Sequence, residues 1–501
     1  MELLLLSLSF LLLIFPLFIF FRTKHQSTST LLPKSYPFIG SSFAIKANFN
    51  RRVQWTSDIL QTLPSATFVL HRPMGGRQIF TGNPANVQHV LKTHFHLYKK
   101  GPVTRYTLFD FLGNGIFNAD GDTWKLQRQI SSHEFSTKSL RKFVETVVDT
   151  EITQRLIPIL SDAAANRTVV DLQDLLQRFA FDNICKIAFG YDPAYLLPSF
   201  PPMEFAEAFE ESIRIISDRF NCAFPVIWKI KKFFCVGSEK RLQESMSQVR
   251  DFAMKLIKEK KQEFKNNSSP SPLQSVDLLS RFLNSGISDE TFVTDVVISF
   301  ILAGRDTTSA VLSWFFWLIF KNPEVEDKIL KEIKGKSNTP IFEEVKDMVY
   351  THASLSETMR LYPPVPVDSK MAMQDNVFPD GTVVKKGTRV TYHPYAMGRM
   401  ESLWGKDCAD FKPERWLAID GESKKLSFVG RDAYTYPVFQ AGPRICLGKE
   451  LAYLQMKRVV SAVLSRFKVV PAAKNGGDPV FIAYLTTKMM GGFPVRFEER
   501  K

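Results

Sequence analysis

The chain has 501 residues, 45% of them hydrophobic, and Lys plus Arg 65 against Asp plus Glu 51, a net charge of +14. That length and composition support a large buried core and exclude a disordered or collagen-like chain. No Lys/Arg-rich run interleaved with aromatics stands out, so nucleic acid is not the expected partner of the excess positive charge, whereas an anionic membrane or an acidic protein is. The five cysteines, Cys185, Cys222, Cys235, Cys408 and Cys446, are odd in number and lack CxxC spacing. This reads as a reducing compartment with no disulfide framework.

Leu3 to Phe21 is apolar apart from Ser7 and Ser9, and about 19 helical residues span roughly 28 Å, enough for one membrane crossing. A cleaved signal peptide is the competing reading, but it would want a basic segment before the apolar run, and here Arg22, Lys24 and His25 follow it. Positive charge on that flank holds it in the cytosol. The expected organisation is therefore a transmembrane anchor at 1–21, a polar and proline-rich neck at 22–40, and one catalytic body at 41–501 on the cytosolic side, with Asn166 and Asn266 unglycosylated.

Within the body, helical periodicity runs over Asn118 to Phe135, Leu140 to Ala164, Val170 to Phe189, Met203 to Arg219, Lys240 to Phe264, Asp289 to Phe320, Pro323 to Ile333, Ser354 to Leu361 and Leu447 to Phe467. Strand signals are short: Thr67 to Arg72, Gln78 to Thr81 and Thr388 to Tyr392. The fold class is mainly α with minor β. Phe292 to Phe320 is long and apolar enough to mimic a second span, but Asp295, Arg305 and Asp306 within it point to a helix through a soluble core.

The strongest local signal is Phe439-Gln440-Ala441-Gly442-Pro443-Arg444-Ile445-Cys446-Leu447-Gly448. A thiolate that ligates iron needs N–H donors to hold its charge, and a Gly-Pro loop running into a helix start supplies them. Gly442 and Gly448 let backbone approach a flat macrocycle, Phe439 can shield the sulfur, and Arg444 can pair with a haem propionate. A buried cysteine on its own is usually just a small hydrophobe. The complete Phe-x-x-Gly-x-Arg-x-Cys-x-Gly pattern overrides that reading.

This segment resembles the haem-binding signature of the cytochrome P450 superfamily, and three further motifs follow the same family. Glu357 and Arg360 match its Glu-x-x-Arg, and Pro413-Glu414-Arg415-Trp416 is similar to its Pro-Glu-Arg-Phe, with Trp in place of the usual Phe. The resemblance implies that Arg415 closes a supporting network with Glu357 and Arg360. Ala303-Gly304-Arg305-Asp306-Thr307-Thr308 resembles the distal oxygen-activation segment. It implies that Thr307 holds a water for proton delivery, that Asp306 relays protons from outside, and that Gly304 with its hydroxyl neighbours loosens the helix. Trp124 and Arg128 match Trp-x-x-x-Arg, where both side chains would bond a propionate. Lys370 is a further propionate candidate by position.

The implied cofactor is haem b with Cys446 as axial ligand to the iron, and the implied electron source is NADPH through a reductase docked on Lys125, Arg128, Lys449, Lys457 and Arg458. Phe181 to Gly190, Leu361 to Pro366 and His393 to Met400 are similar to the plant fatty-acid ω-hydroxylase clan, whose members act on fatty acids, jasmonoyl-amino acids or steroid side chains. A single-pass endoplasmic reticulum enzyme oxidising the terminal carbon of an apolar or amphipathic substrate is therefore expected, with possible onward oxidation to aldehyde or acid. Phe109, Phe111, Leu112 and Val365-Pro366-Val367 would line its cavity. Alternatives of other classes are an O₂-independent haem isomerase or dehydratase, disfavoured by Thr307, and a haem sensor, disfavoured by Asp306 beside Thr307.

Overall fold

The computed structural model describes residues 32–202, 204–266, 277–335, 340–419, 426–472 and 478–500. The expected anchor, the first part of the neck and most of the low-complexity stretch after Asn266 lie outside them. Chain contacts divide the protein into Met1–Lys34 and Ser35–Lys501. The neck expected to end at 40 is folded into the second of these from Tyr36 onward: Tyr36 and Gly40 exchange backbone hydrogen bonds at 3.0 and 2.8 Å, and Met74 donates to the Phe38 carbonyl. Gly40 has φ +58°, and a Cβ there would stand 2.6 Å from the His71 carbonyl, so the turn closes against the sheet only with glycine.

The helices that frame the site are α1 (Arg52–Thr62), α2 (Gly101–Leu112), α3 (Gly121–Ser132), α4 (Leu172–Phe189), α5 (Glu204–Asn221), α6 (Pro225–Phe233), α7 (Ser238–Asn266), α8 (Glu290–Lys321), α9 (Pro323–Lys334), α10 (Val349–Leu361) and α11 (Lys449–Leu464). The strands are β1 (Thr67–His71), β2 (Arg77–Thr81), β3 (Tyr98–Lys99), β4 (Asp368–Ala372), β5 (Arg389–Tyr392), β6 (Phe481–Ala483) and β7 (Thr487–Met489). Thr137 to Ala165 is helical throughout but alternates α and π turns at Phe143–Val148 and Ile152–Leu156. Helix ends follow their caps. Asp171 accepts from Gln173 N at 2.9 Å at the start of α4, Gly190 closes it in the left-handed region, and Asp289 accepts from Thr291 N at 2.9 Å ahead of α8.

α2 was not among the helices expected from sequence, where Phe109, Phe111 and Leu112 entered only as cavity-lining residues. Its first turn contains Gly101 and Pro102, which read as a breaker in sequence, yet proline is well tolerated there because those N–H groups have no helical partner.

The main sheet has the order β1-β2-β5-β4-β3, with β2 and β5 parallel and the other neighbours antiparallel. Its two faces alternate as a pleat requires. Phe68, Leu70 and Phe80 pack with Ile59 and Leu60 of α1, whereas Ile79, Val390 and Tyr392 pack with Val87, Leu91 and Ala441 of the cysteine loop.

α8 crosses the whole body. Its most apolar window is long enough for a membrane span, but 83% of that window is buried inside the protein. The first half, Val293 to Leu302, belongs to a core shared with α4, α5 and α7, and the second half, Val311 to Ile319, to a core shared with α9, α10 and α11. The polar segment from Ala303 to Ser309 falls between the two cores. Gly304 is where α4 crosses: a Cβ would stand 2.5 Å from Ile184. α8 is continuous α-helix through this point, so the glycine serves close helix packing and the expected loosening is not seen.

Candidate active site

The cysteine loop is two tight turns, Pro437–Phe439 and Gly442–Arg444, leading into α11 with Gly448 as the residue before its first turn. Gly442 has φ +63°, and a Cβ would stand 2.0 Å from the Leu91 carbonyl, so glycine at this position is obligatory. Gly448 is less constrained, since its Cβ would make only ordinary contact with Phe135 at 3.6 Å. Cys446 N donates to Phe439 O at 2.8 Å, which folds the loop back on itself. The Phe439 ring packs 5.4 Å from that of Tyr453.

Cys446 keeps part of its surface open although protein surrounds its sulfur closely enough for burial to push the thiol up. The Gly448 N–H and the charges of Arg128 and Lys449 act in the opposite direction and favour the thiolate.

Around this loop the fold gathers cations. Arg444 lies 4.5 Å from the centre of the Trp124 ring and donates to Ala119 O at 2.8 Å and Asp120 Oδ1 at 2.9 Å. Arg128, one turn along α3 from Trp124, donates to Ile445 O at 2.7 Å. Lys370 is buried with its ammonium 3.4 Å from Asp368, which also receives Lys100 at 2.9 Å, Tyr392 Oη at 2.9 Å and Gln440 Nε2 at 2.7 Å. These partners hold the Asp368 carboxyl far below its ordinary range despite burial, and burial pushes Lys370 well down.

Lys100, Asp120, Asp368 and Gln440 were missed by sequence reasoning. Asp120 immediately precedes α3, which carries Trp124 and Arg128, but no spacing links it or Lys100 to Asp368. Asp120 and Asp368 balance Arg444 and Lys100, which leaves the buried Lys370 to share Asp368 with Lys100 and with no counter-charge of its own. Cationic donors in excess around an accessible cysteine fit an iron porphyrin, whose propionates supply the missing negative charge.

Beneath the loop, Arg360 grips Glu357 with two bonds of 2.7 Å, and Arg415 Nε, Trp416 Nε1 and Lys412 N complete the carboxylate at 2.8, 2.8 and 2.9 Å. Arg360 also donates to the carbonyls of Gly398, Cys408 at 2.6 Å and Asp410 at 2.8 Å. Both Glu357 and Arg360 are fully buried. The Trp416 ring meets Tyr436 at 4.8 Å, and Tyr436 is the residue that leads into the cysteine loop. The network therefore sets the position of the loop's first turn.

On α8, Ala303, Gly304 and Thr307 are partly open while residues on either side are buried, and Thr307 Oγ1 donates to Ala303 O at 2.6 Å. Asp306 points elsewhere. It meets Arg305 at 2.9 Å and Thr486 Oγ1 at 3.3 Å, and Arg305 and Lys488 both reach Glu210, at 3.1 and 2.6 Å. A polar cavity of about 20 Å³ lies between these residues, about one water in size. Burial raises the Asp306 carboxyl, with Arg305 opposing.

Of the cavity residues expected from sequence, Phe111 is fully buried and meets Phe209 edge to face at 5.1 Å. It is core and not a wall, because consecutive residues of α2 face different ways. Phe109, two residues earlier, is 49% exposed.

A mainly helical fold with a cysteine loop, a buried Glu-Arg-Arg support and cations set for two carboxylates defines a haem-thiolate protein. Residues 32–488 match the family model for cytochrome P450. The chain is 61% identical over 479 residues to cytochrome P450 94A2 of Vicia sativa, covering 96% of this chain and 93% of the relative. It is 46% identical over 482 residues to cytochrome P450 94B1 of Arabidopsis thaliana, covering 95% and 93%, and 43% identical over 464 residues to cytochrome P450 94C1 of the same plant, covering 91% of each. The chain belongs to the cytochrome P450 family. It is a haem-containing monooxygenase that acts on a small molecule and takes its electrons from a reductase partner, typically at the expense of NADPH.

Proposed function

We propose that the enzyme oxidises an extended aliphatic chain at or next to its terminal carbon, with a fatty acid as the foremost substrate and a jasmonoyl-amino acid or a steroid side chain as alternatives. Haem held by Cys446, with Arg444, Trp124, Arg128, Lys100 and Lys370 toward its propionates, supplies the activation of O₂ and the transfer of one oxygen atom to a C–H bond. The chain's own residues supply position and protons. Thr307 presents a hydroxyl on the open strip of α8. Asp306, adjacent to Thr307 in the chain, faces away from that strip into the cavity shared with Glu210 and Lys488, and its proposed part is to exchange protons with that cavity.

The observation that carries the terminal reading is the stitching of the site's walls. Thr487 N donates to Pro364 O at 2.9 Å and Thr487 Oγ1 to Pro363 O at 3.2 Å, Tyr395 N donates to Pro366 O at 3.2 Å, and Thr486 bonds Asp306. The β6–β7 hairpin, the Pro363–Val367 turn and α8 are thus tied at one level. A primary C–H bond is harder to break than its secondary neighbours, so terminal attack requires walls that do not yield. Val365 and Val367 are partly open beside the buried Pro366 and are the side chains that would narrow the throat.

We also place the enzyme on the endoplasmic reticulum membrane by its first 21 residues, with the body cytosolic. Exposed Val226, Ile227, Ile230, Phe233 and Phe234 on and just after α6 support a further lipid contact. The test of the reaction is product analysis from purified enzyme, reductase and NADPH with fatty acids, jasmonoyl conjugates and sterols. Products at the terminal or adjacent carbon are expected, and products confined to rings or mid-chain carbons refute the terminal reading.

A further inference from the structure

Among the described residues, three arginines stand together with no acid beside them. Arg52 opens α1, Arg72 follows β1 in extended conformation, and Arg389 begins β5. Arg389 is beside Gln78 in the parallel pair, and Gln78 is opposite Leu70 in the β1–β2 hairpin. Alternation along the strands then places Arg72 and Arg389 on the sheet face that α1 covers. All three guanidinium groups gather on Phe220, near the end of α5. Arg52 Nη1 and Arg72 Nη2 donate to its carbonyl at 3.0 and 3.1 Å, and Arg389 lies 5.2 Å from its ring centre.

Four other enclosed arginines are paired with carboxylates, Arg219 with Glu239, Arg305 with Glu210, and Arg360 and Arg415 with Glu357, while Arg399 is covered by the rings of Tyr395 and Tyr362. Here, among the described residues, the titratable groups that act on the three are one another, the Cys222 thiol for Arg72, and for Arg52 the His393 imidazole, none of them a carboxylate. Capping the end of α5 does not account for them. A helix C-terminus carries about half a negative charge, against three full positive ones. Burial, then mutual repulsion, pulls Arg52 and Arg389 down to about 9, and burial lowers Arg72 as well; a bound anion would relieve the cost of holding guanidinium charges together here.

Their place in the fold says which anion. β5 runs from Arg389 to Tyr392, whose hydroxyl reaches the Asp368 cluster, a distance of about 10 Å along the strand. α5 touches α8 through Glu210 and Arg305 and arrives at the arginines ten residues later, about 15 Å along its axis. The trio is thus well removed from the open strip of α8 but joined to it by the same helix.

We propose that Arg52, Arg72 and Arg389 seat the carboxylate of the aliphatic substrate, so that the opposite end of the chain lies at the reacting centre. This rests on the reading above of an extended acid oxidised at its far end. A free fatty acid and an amide-linked amino acid share the carboxylate and are separate arms of the test.

The experiment is equilibrium spectral titration of the full-length, haem-loaded protein with dodecanoic acid, its methyl ester and an N-acyl amino acid, alongside product analysis. Wild type is expected to bind the acid at least about tenfold more tightly than the ester, and Arg72→Gln and Arg389→Gln each to lose about tenfold on the acid with little change on the ester. Arg72→Lys should recover part of the loss. Whichever carboxylate shows the larger loss in the Gln variants identifies the source. Equal binding of acid and ester by wild type overturns the proposal, and so does an acid-to-ester ratio that the Gln variants leave unchanged, including a uniform loss on both. Interior products with the ratio still sensitive to these arginines would leave the seat standing and remove the terminal reading. Terminal products with an insensitive ratio would do the reverse.

Discussion

Arg444 lies with its guanidinium carbon 4.5 Å from the centre of the Trp124 ring while it donates to the Asp120 carboxylate at 2.9 Å. One side chain from the cysteine loop is thereby fixed by two points near α3, a cation–π face and a charged hydrogen bond.

Arg444→Leu removes both attachments and the charge, and is expected to reduce haem retention about tenfold or more, from roughly 0.5–2 kcal/mol for the cation–π contact and 1.5–3 for the charged hydrogen bond. Trp124→Phe, which keeps a ring, should cost less. The measurement is haem per polypeptide after gel filtration. Full haem content in Arg444→Leu would show that the arginine serves only its protein contacts to Trp124, Ala119 and Asp120.

Glu357→Gln leaves Arg360 and Arg415 buried opposite a neutral amide. Breaking a buried pair from one side costs about 3–5 kcal/mol, and here the support under Tyr436 goes with it. Little folded holoprotein should accumulate, and what does should unfold at much lower urea concentration. Urea titrations that superimpose on wild type would remove the supporting role.

His393 gives the stability a pH dependence. Its Nδ1 accepts Ala396 N–H at 3.0 Å and its Nε2 is 2.9 Å from Thr56 Oγ1, an arrangement that needs the neutral ring. Burial pushes its pKa down to about 3. The unfolded imidazole, near 6.5, binds a proton that the native one refuses, so the contribution is intact above about pH 6.5 and is lost as pH falls toward 3. At pH 5 the loss is about 2 kcal/mol. His393→Gln should be less stable than wild type at pH 7.5 but lose less between pH 7.5 and 5. Parallel melting-temperature curves for the two proteins would contradict this assignment.

Phe109 and Phe111 should separate cleanly. Phe111→Ala opens the core against Phe209 and is expected to cost about 3–5 kcal/mol of stability. Phe109→Ala should leave stability within about 1 kcal/mol and shift products toward interior carbons. The checks are denaturant unfolding and product profiles. Matching stability losses in both would place Phe109 in the core as well.

Helix positions were legible where apolar periodicity was long and uninterrupted, as in α4, α7 and α8, because one buried stripe suffices to specify such a helix. α2 was hidden by Gly101-Pro102, whose effect depends on whether a helix starts or stops there. The middle of α8 was legible as chemistry but not as geometry: Gly304 is occupied by the crossing of Ile184 from α4, a neighbour 120 residues away in sequence that no local pattern names.

The amino-acid sequence by itself determined the ligand loop from Phe439 to Gly448 and the class of protein it belongs to, because the donor, its glycines and the following helix start are contiguous and their chemistry is local. The tertiary structure alone decided the partners: Asp120 and Trp124 for Arg444, Lys100 and Lys370 for Asp368, and Phe220 as the meeting point of Arg52, Arg72 and Arg389. A sequence states which residues carry charge. Which of those charges are paired, and which are left to meet a ligand, follows from the segments that packing brings within a few ångströms of one another, where burial makes each pairing count.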